Sequence, residues 1–93
     1  MRLKSDPPAA VSEIPLRFIR FLAADEERLA AMLALTGLTE QDFSTRSSEP
    51  EFQAFVLDYA LENESQLLEF AASENLRPEA VAQARRKLPG ALF

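Results

Sequence analysis

A single glycine divides a chain that otherwise favours helix along most of its length. The sequence has only two glycines and is rich in alanine and leucine, whose side chains lose little rotamer freedom in a helix. Gly37 directly follows the apolar segment LAAMLALT, residues 29–36. Because a residue just past a helix commonly adopts the left-handed conformation that glycine enters without strain, Gly37 predicts a helix end. The fold class that follows is all-α.

Apolar spacing and capping residues predict six helices. Their expected caps or first residues are Ser12, Asp25, Thr39, Ser48, Asn63 and Pro78. Pro15 is expected in the first turn of the first helix, where its missing N–H costs nothing. Asp42 with Thr39, and Glu51 with Ser48, have the spacing of capping boxes. The chain is therefore expected to form a compact bundle of short helices.

The sequence matches itself when it is shifted by 38 residues without a gap, and Gly37 then aligns with Asn75. Glycine and asparagine tolerate the left-handed conformation best, so this register agrees with backbone chemistry as well as with hydrophobicity. The match predicts two three-helix pseudo-repeats, residues 12–46 and 50–88. Two units are fewer than a solenoid requires, which favours a closed bundle.

The length of 93 residues allows one small domain. Residues 1–10 carry charges and a Pro-Pro pair without periodicity, so we expect a flexible amino-terminal tail. A single all-helical domain is expected over residues 11–93. At its end, the apolar Leu92 and Phe93 are expected to pack back on the bundle or to dock on a partner.

The first and fourth helices carry a second apolar stripe besides their core-facing residues. Its large members are Leu16, Ile19, Leu57 and Leu61. A helix that is apolar on two sides is either central or lies at an interface. Two alternatives follow: the two helices pack on each other across a pseudo-twofold axis, or the stripe is a homodimer interface or partner groove. If it stays exposed, the stripe is the predicted interaction surface, and the partner is an unidentified protein or a second copy.

Composition excludes several classes of function. The chain has no cysteine and no histidine, so disulfides, thiolate nucleophiles, and imidazole or thiolate metal sites are excluded. The net charge of −5 argues against non-specific binding to nucleic acid or to an anionic membrane. No apolar run approaches the length of a membrane span, and Asp6 with two prolines stands where a signal peptide would be apolar. We therefore expect a cytoplasmic protein.

The sequence predicts no catalytic residue, metal ligand or cofactor site, and it favours a protein-interaction module without catalytic activity. The alternative is a weak small-ligand-binding or catalytic role in a pocket between the two units, with carboxylates and Arg17 or Arg20. A third hypothesis is nucleic-acid contact through the basic cluster at residues 85–87, which predicts salt-sensitive binding. The acidic surface as a whole makes that contact unexpected.

Several segments of the chain resemble a family of small bacterial proteins known as domain of unknown function 3572. Within residues 14–88 they are FLA with an acidic helix start, LALTGL, VLD, FA, and a Pro-Glu helix start followed by AR and leucine. LALTGL is the most specific of them. The resemblance implies an all-α fold, but it implies no activity and brings no functional residue. Pro15 departs from the family pattern, where alanine is expected, and so bears on how far the first helix extends upstream.

Overall fold

The structure is a computed structural model that describes residues 8–90, with side chains from residue 11 onward. This part of the chain forms six helices: α1 (Pro8–Ala23), α2 (Glu26–Thr36), α3 (Glu40–Arg46), α4 (Pro50–Glu62), α5 (Glu64–Glu74) and α6 (Pro78–Arg86). The predicted all-α class is confirmed. The predicted tail lies outside the described residues except for its last three, which form the first turn of α1. Leu92 and Phe93 also lie outside them.

The start of α1 differs from its prediction. The helix begins at Pro8, so Ser12 is not its cap and Pro15 lies inside it. Both prolines suit a first helical position, and the sequence therefore contains two possible starts. The buried side chains settle the choice, because Val11 and Ile14 lie on the same stripe as Phe18. Packing of this stripe continues the helix through Pro15 although the proline has no N–H to donate to the carbonyl of Val11.

Two helices end as the 38-residue match predicts. Gly37 (φ +80°) and Asn75 (φ +58°) both adopt the left-handed conformation. The N–H of Gly37 donates to the carbonyl of Leu33 at 2.9 Å, and the N–H of Leu76 donates to that of Ala71 at 2.8 Å. The helix α2 thus ends in the αL motif, which has a single hydrogen bond of this kind, whereas α5 ends in a Schellman motif.

The predicted helix starts are confirmed for α2 and α3. Asp25 accepts hydrogen bonds from the N–H groups of Glu27 and Arg28. Thr39 and Asp42 form the expected capping box, in which each side chain accepts from the other residue's N–H. The N–H of Thr39 is the largest cause that lowers the pKa of the Asp42 carboxyl below its usual value.

The predicted cap of α4 is wrong, whereas the predicted cap of α5 is right in position but not in its side-chain hydrogen bond. Glu49, not Ser48, precedes α4, and its carboxylate pairs with Arg46 at 3.0 Å. Pro50 occupies the first helical position, where its nitrogen carries no hydrogen that would need a capping partner. Asn63 does end α4 and, as predicted, stands at the N-cap position of α5, where its carbonyl accepts from the N–H of Leu67 at 2.9 Å. Its side chain makes no capping bond there, because its amide donates to the carbonyl of Tyr59 at 2.8 Å.

The core forms where α1, α4 and α6 pack against one another, with α2 on α1 and α5 on α4. Its fully buried large side chains are Phe18, Phe52, Phe70, Ile14, Leu22, Met32, Leu57, Val56 and Val81. The ring of Phe18 meets that of Phe70 edge-on at 5.1 Å between centroids, and Phe43 meets Phe52 in the same way at 5.4 Å. These ring pairs attach α5 to α1 and the short α3 to α4.

The predicted pseudo-repeat recurs in the helix boundaries but is not confirmed as a three-dimensional arrangement. α2 and α5 begin at residues 26 and 64, and α3 and α6 begin at residues 40 and 78, so each pair is 38 apart. Packing differs between the units, because α6 contacts both α1 and α4 whereas α3 has no equally extensive contact among the described helices. A pseudo-twofold axis therefore stays a prediction.

We predict that Gly37→Ala lowers the free energy of unfolding by about 1 kcal/mol, because alanine resists the left-handed conformation. A Cβ at this position would meet no atom within 4 Å, so the cost lies in the backbone. Gly37→Asn is the matched control and should cost less. Urea unfolding followed by circular dichroism measures both, and equal costs would contradict this explanation of the helix end.

We predict that Leu57→Ala lowers the free energy of unfolding by about 2–5 kcal/mol, as for other fully buried leucines. Leu61 lies one turn further along α4 and is 36% exposed. Leu61→Ala should therefore change the same quantity by at most about 1 kcal/mol. The two variants are compared by urea unfolding, and a larger effect at Leu61 would show that α4 packs differently.

We predict that Asp42→Asn destabilises the protein near neutral pH and has less effect in acid. The folded-state pKa of Asp42 is depressed, so its contribution to stability is present above the unfolded pKa and is lost as pH falls through the folded pKa. The urea midpoints of the two proteins should therefore differ at about pH 6 and converge below about pH 4. A difference that is independent of pH would refute the role of the carboxylate charge.

Candidate interaction surface

The structure separates the four residues of the predicted apolar stripe. Ile19 is 6% exposed and Leu57 is 0% exposed, whereas Leu16 and Leu61 are 39% and 36% exposed. Ile19 and Leu57 belong to the core because α1 and α4 pack directly on each other. The first alternative, helix-on-helix packing, therefore describes Ile19 and Leu57, and the condition that the whole stripe stays exposed is not met. Only Leu16 and Leu61 reach the surface.

Arg17 and Arg28 both connect α5 to the first unit. Arg17 pairs with Glu13 at 2.7 Å and with Glu74 of α5 at 3.3 Å. Arg28 pairs with Glu69 of α5 at 3.3 Å, and it also donates a 2.8 Å hydrogen bond to the carbonyl of Phe21. These arginines therefore have structural partners, and the alternative of a site that uses Arg17 gains no support from the geometry.

The guanidinium of Arg28 is also held by an aromatic ring. Its central carbon lies 3.8 Å from the centre of the Phe21 ring, and its side chain is largely buried. A cation at this distance from a ring face is attracted by the ring quadrupole. Arg28 is thus fixed between Phe21 and α5.

The basic cluster at residues 85–87 does not act as one group. Arg85 holds Asp58 of α4 in a two-point contact, from Nε to Oδ1 at 2.7 Å and from Nη2 to Oδ2 at 3.3 Å. Its Nη1 also donates to the carbonyl of Pro89 at 3.1 Å. Such a fork fixes α6 on α4 and leaves Arg86 and Lys87 as the exposed members of the cluster. The nucleic-acid hypothesis therefore loses one of its three cations.

Two further findings apply to residues 8–90. The acidic side chains there form no group of three or more that could hold a metal ion. None of the helices in this range is both long and apolar enough to cross a membrane.

The helix α2 has apolar residues on all of its sides. Its segment from Leu29 to Thr36 contains no charged residue, and Thr36 is its one hydroxyl-bearing member. A helix that is apolar all round is expected to be buried, yet Met32 alone in α2 is buried. Ala30, Ala31, Ala34 and Leu35 are exposed, and we call these four residues the α2 surface. Leu35 is 72% exposed.

The helix α5 shows that this apolar surface is not required by the fold. It has the same length as α2 and begins 38 residues later. At the four positions that correspond to the α2 surface, α5 has Leu68, Glu69, Ala72 and Ser73. All eight positions are exposed. The exposed face of α5 is therefore half polar, whereas the four residues of the α2 surface are all apolar.

An open groove of about 530 Å³ lies along one side of the α2 surface, between the end of α1 and the start of α3. Its lining residues are Ala23, Glu26, Glu27, Leu29, Ala30, Leu33 and Glu40. We call its four apolar lining residues the floor and its three exposed glutamates the rim. Because every lining residue precedes residue 46, this groove belongs to the first unit and is not the predicted pocket between the two units.

Sequence reasoning missed the α2 surface because it assigned only the inward stripe of α2. Leu29, Met32 and Leu33 have the spacing of a core stripe and do contact the core. The missed signal was the side opposite to this stripe, where charged residues are expected and alanines stand instead. Counting polar residues on that side would have found the surface.

Comparisons with known proteins identify a family but no characterised relative. Neither the curated proteins nor the solved structures contain a match to this chain. The model of the family described as protein of unknown function DUF3572 matches residues 9–91. This match confirms the resemblance read from LALTGL and its neighbouring segments, and it extends beyond residues 14–88 at both ends. The chain therefore belongs to the DUF3572 family of proteins of unknown function.

Proposed function

We propose that this protein is a cytoplasmic protein-interaction module without catalytic activity, and that the α2 surface is its docking face. The observation that carries the proposal is the exposure of Leu35 beside three exposed alanines on a helix whose second half has no charge. Contiguous apolar surface on a small protein marks an interaction site more often than scattered single residues do.

Burial of this face by a partner would be favourable. Transfer of one exposed leucine side chain out of water contributes about 1.5–3 kcal/mol when it is complete. The alanines contribute less individually, but their small side chains let another backbone approach α2 closely. Within the fold, α1 covers one side of α2. A docked partner would cover the other side, and the apolar sequence of α2 favours this burial.

The arrangement of charges supports a non-catalytic role. Arg17, Arg28 and Arg85 are each paired with a carboxylate of another helix, so these cations hold helices together. The acidic residues of the groove line its rim beside apolar side chains of α1 and α2. Recognition between surfaces requires no reacting group, and this arrangement suits it. The cytoplasmic location rests on the sequence expectation alone.

Photocrosslinking in cells that express the protein tests the proposal. A benzoylphenylalanine replaces Ala34, which is exposed in the middle of the α2 surface. We expect irradiation to give a discrete covalent product heavier than the 10.4 kDa chain, because the probe then lies against the docked protein.

Two other positions serve as controls. Ala72 is the exposed alanine of α5 at the position that corresponds to Ala34, and Leu61 is an exposed apolar residue of the sequence-predicted stripe. Neither should give the same product. A product at Leu61 and none at Ala34 would move the docking face to α4, and no product at any of the three positions would refute the proposal.

A further inference from the structure

The rim of the groove specifies the chemistry of the partner. We infer that the groove beside α2 binds a basic amphipathic helix of another protein. This inference rests on the proposed docking function and adds the partner class to it. The apolar floor would take the partner's apolar side chains, and the rim carboxylates of Glu26, Glu27 and Glu40 would pair with its lysines or arginines.

The apolar part of the site has the form used in helix-in-groove recognition. Leu29, Ala30 and Leu33 follow one side of α2 at helical spacing, and Ala23 at the end of α1 also lines the groove. In that mode of binding, a partner helix places side chains from successive turns of one face into a single apolar groove. The α2 surface continues from Ala30 to Ala34 beyond the groove, so a helix can extend across both.

The rim carries charge of one sign. Glu26, Glu27 and Glu40 are exposed, and none of them pairs with a cation within residues 8–90. The nearest cation in sequence, Arg28, is held by Phe21 and Glu69 and does not line the groove. These glutamates lie in the first turns of α2 and α3, so only the helix dipoles compensate their charge within residues 8–90. An acidic rim without paired cations beside an apolar floor favours a basic partner.

The same charges disfavour a second copy of this chain. A symmetric dimer places one surface against itself, so the three carboxylates of one groove would face the three carboxylates of the other. Like charges brought together at an interface are unfavourable, and the net charge of −5 on each chain adds to the repulsion at long range. A basic helix brings neither the repulsion between facing carboxylates nor the long-range repulsion between two acidic chains.

The test uses the full chain and a synthetic peptide of about 18 residues, or five helical turns. The peptide has leucines on one helical face and lysines on the other. We expect it to shift the amide resonances of Leu29, Ala30 and Leu33 in an NMR titration. An otherwise identical peptide with glutamate in place of lysine should leave these resonances unchanged.

Replacement of the three rim glutamates by glutamine tests whether their negative charge contributes to binding of the peptide. The variant Glu26→Gln, Glu27→Gln, Glu40→Gln should weaken binding of the lysine peptide by about tenfold, as expected for the loss of three exposed ion pairs. The control variant Glu51→Gln, Glu62→Gln, Glu79→Gln has the same change in net charge on exposed positions of α4 and α6. This control should bind as the wild type does.

Three results would overturn the inference. These are equal binding of the glutamate peptide, resonance shifts confined to other helices, and shifts of the groove residues with protein concentration alone, which would indicate a second copy. If Ala34 crosslinks in cells while the lysine peptide fails to bind, the proposed function stands and the partner is not a basic helix. If both fail, the docking face itself is wrong.

Discussion

Burial of α1 is the constraint on which the rest of the structure depends. This helix is the longest of the six in residues 8–90, and it packs against α2, α4 and α6. Ile14, Phe18 and Leu22 on its inward stripe are completely buried. The ring of Phe18 meets Phe70, and that contact brings α5 to the same core. Removal of apolar side chains such as these from water is the dominant favourable term in the folding of a small domain.

The central place of α1 explains why α2 remains one-sided. α4 and α6 cover α1 and also pack against each other, and small residues of α6 such as Ala80 and Ala84 allow a close approach. α2 packs chiefly on α1, so its inward stripe is covered and its outer side is left to solvent. α3 attaches to α4 through Phe43 and adds only the edge of a groove. The apolar outer side of α2 is thus exposed because α4 and α6 pack on α1 and on each other rather than on α2.

Sequence reasoning predicts local features of this chain better than its packing. Gly37 and Asn75 are predicted correctly because a left-handed helix end depends on the residue itself and its immediate neighbours. Pro15 is misplaced because Pro8 satisfies the same first-turn rule, and burial of the α1 stripe chooses between them. Periodicity places Leu57 and Leu61 on one stripe, but it does not reveal which neighbouring helix covers each. Their opposite burial depends on tertiary packing, which a single sequence does not contain.

The ion pairs decide where the excess negative charge of the molecule lies. Ion pairs with a partly exposed partner contribute modestly to stability individually, so the pairs of Arg17, Arg28 and Arg85 shape the charge distribution besides linking helices. Each of these arginines compensates a carboxylate on α4 or α5. Among the residues that the structure describes, no cation pairs with the carboxylates at the rim of the apolar groove beside α2. The electric field of these carboxylates attracts a basic segment over several ångströms, and the apolar floor holds the segment once it is in contact. The carboxylates therefore raise the encounter rate, whereas the apolar side chains provide most of the affinity.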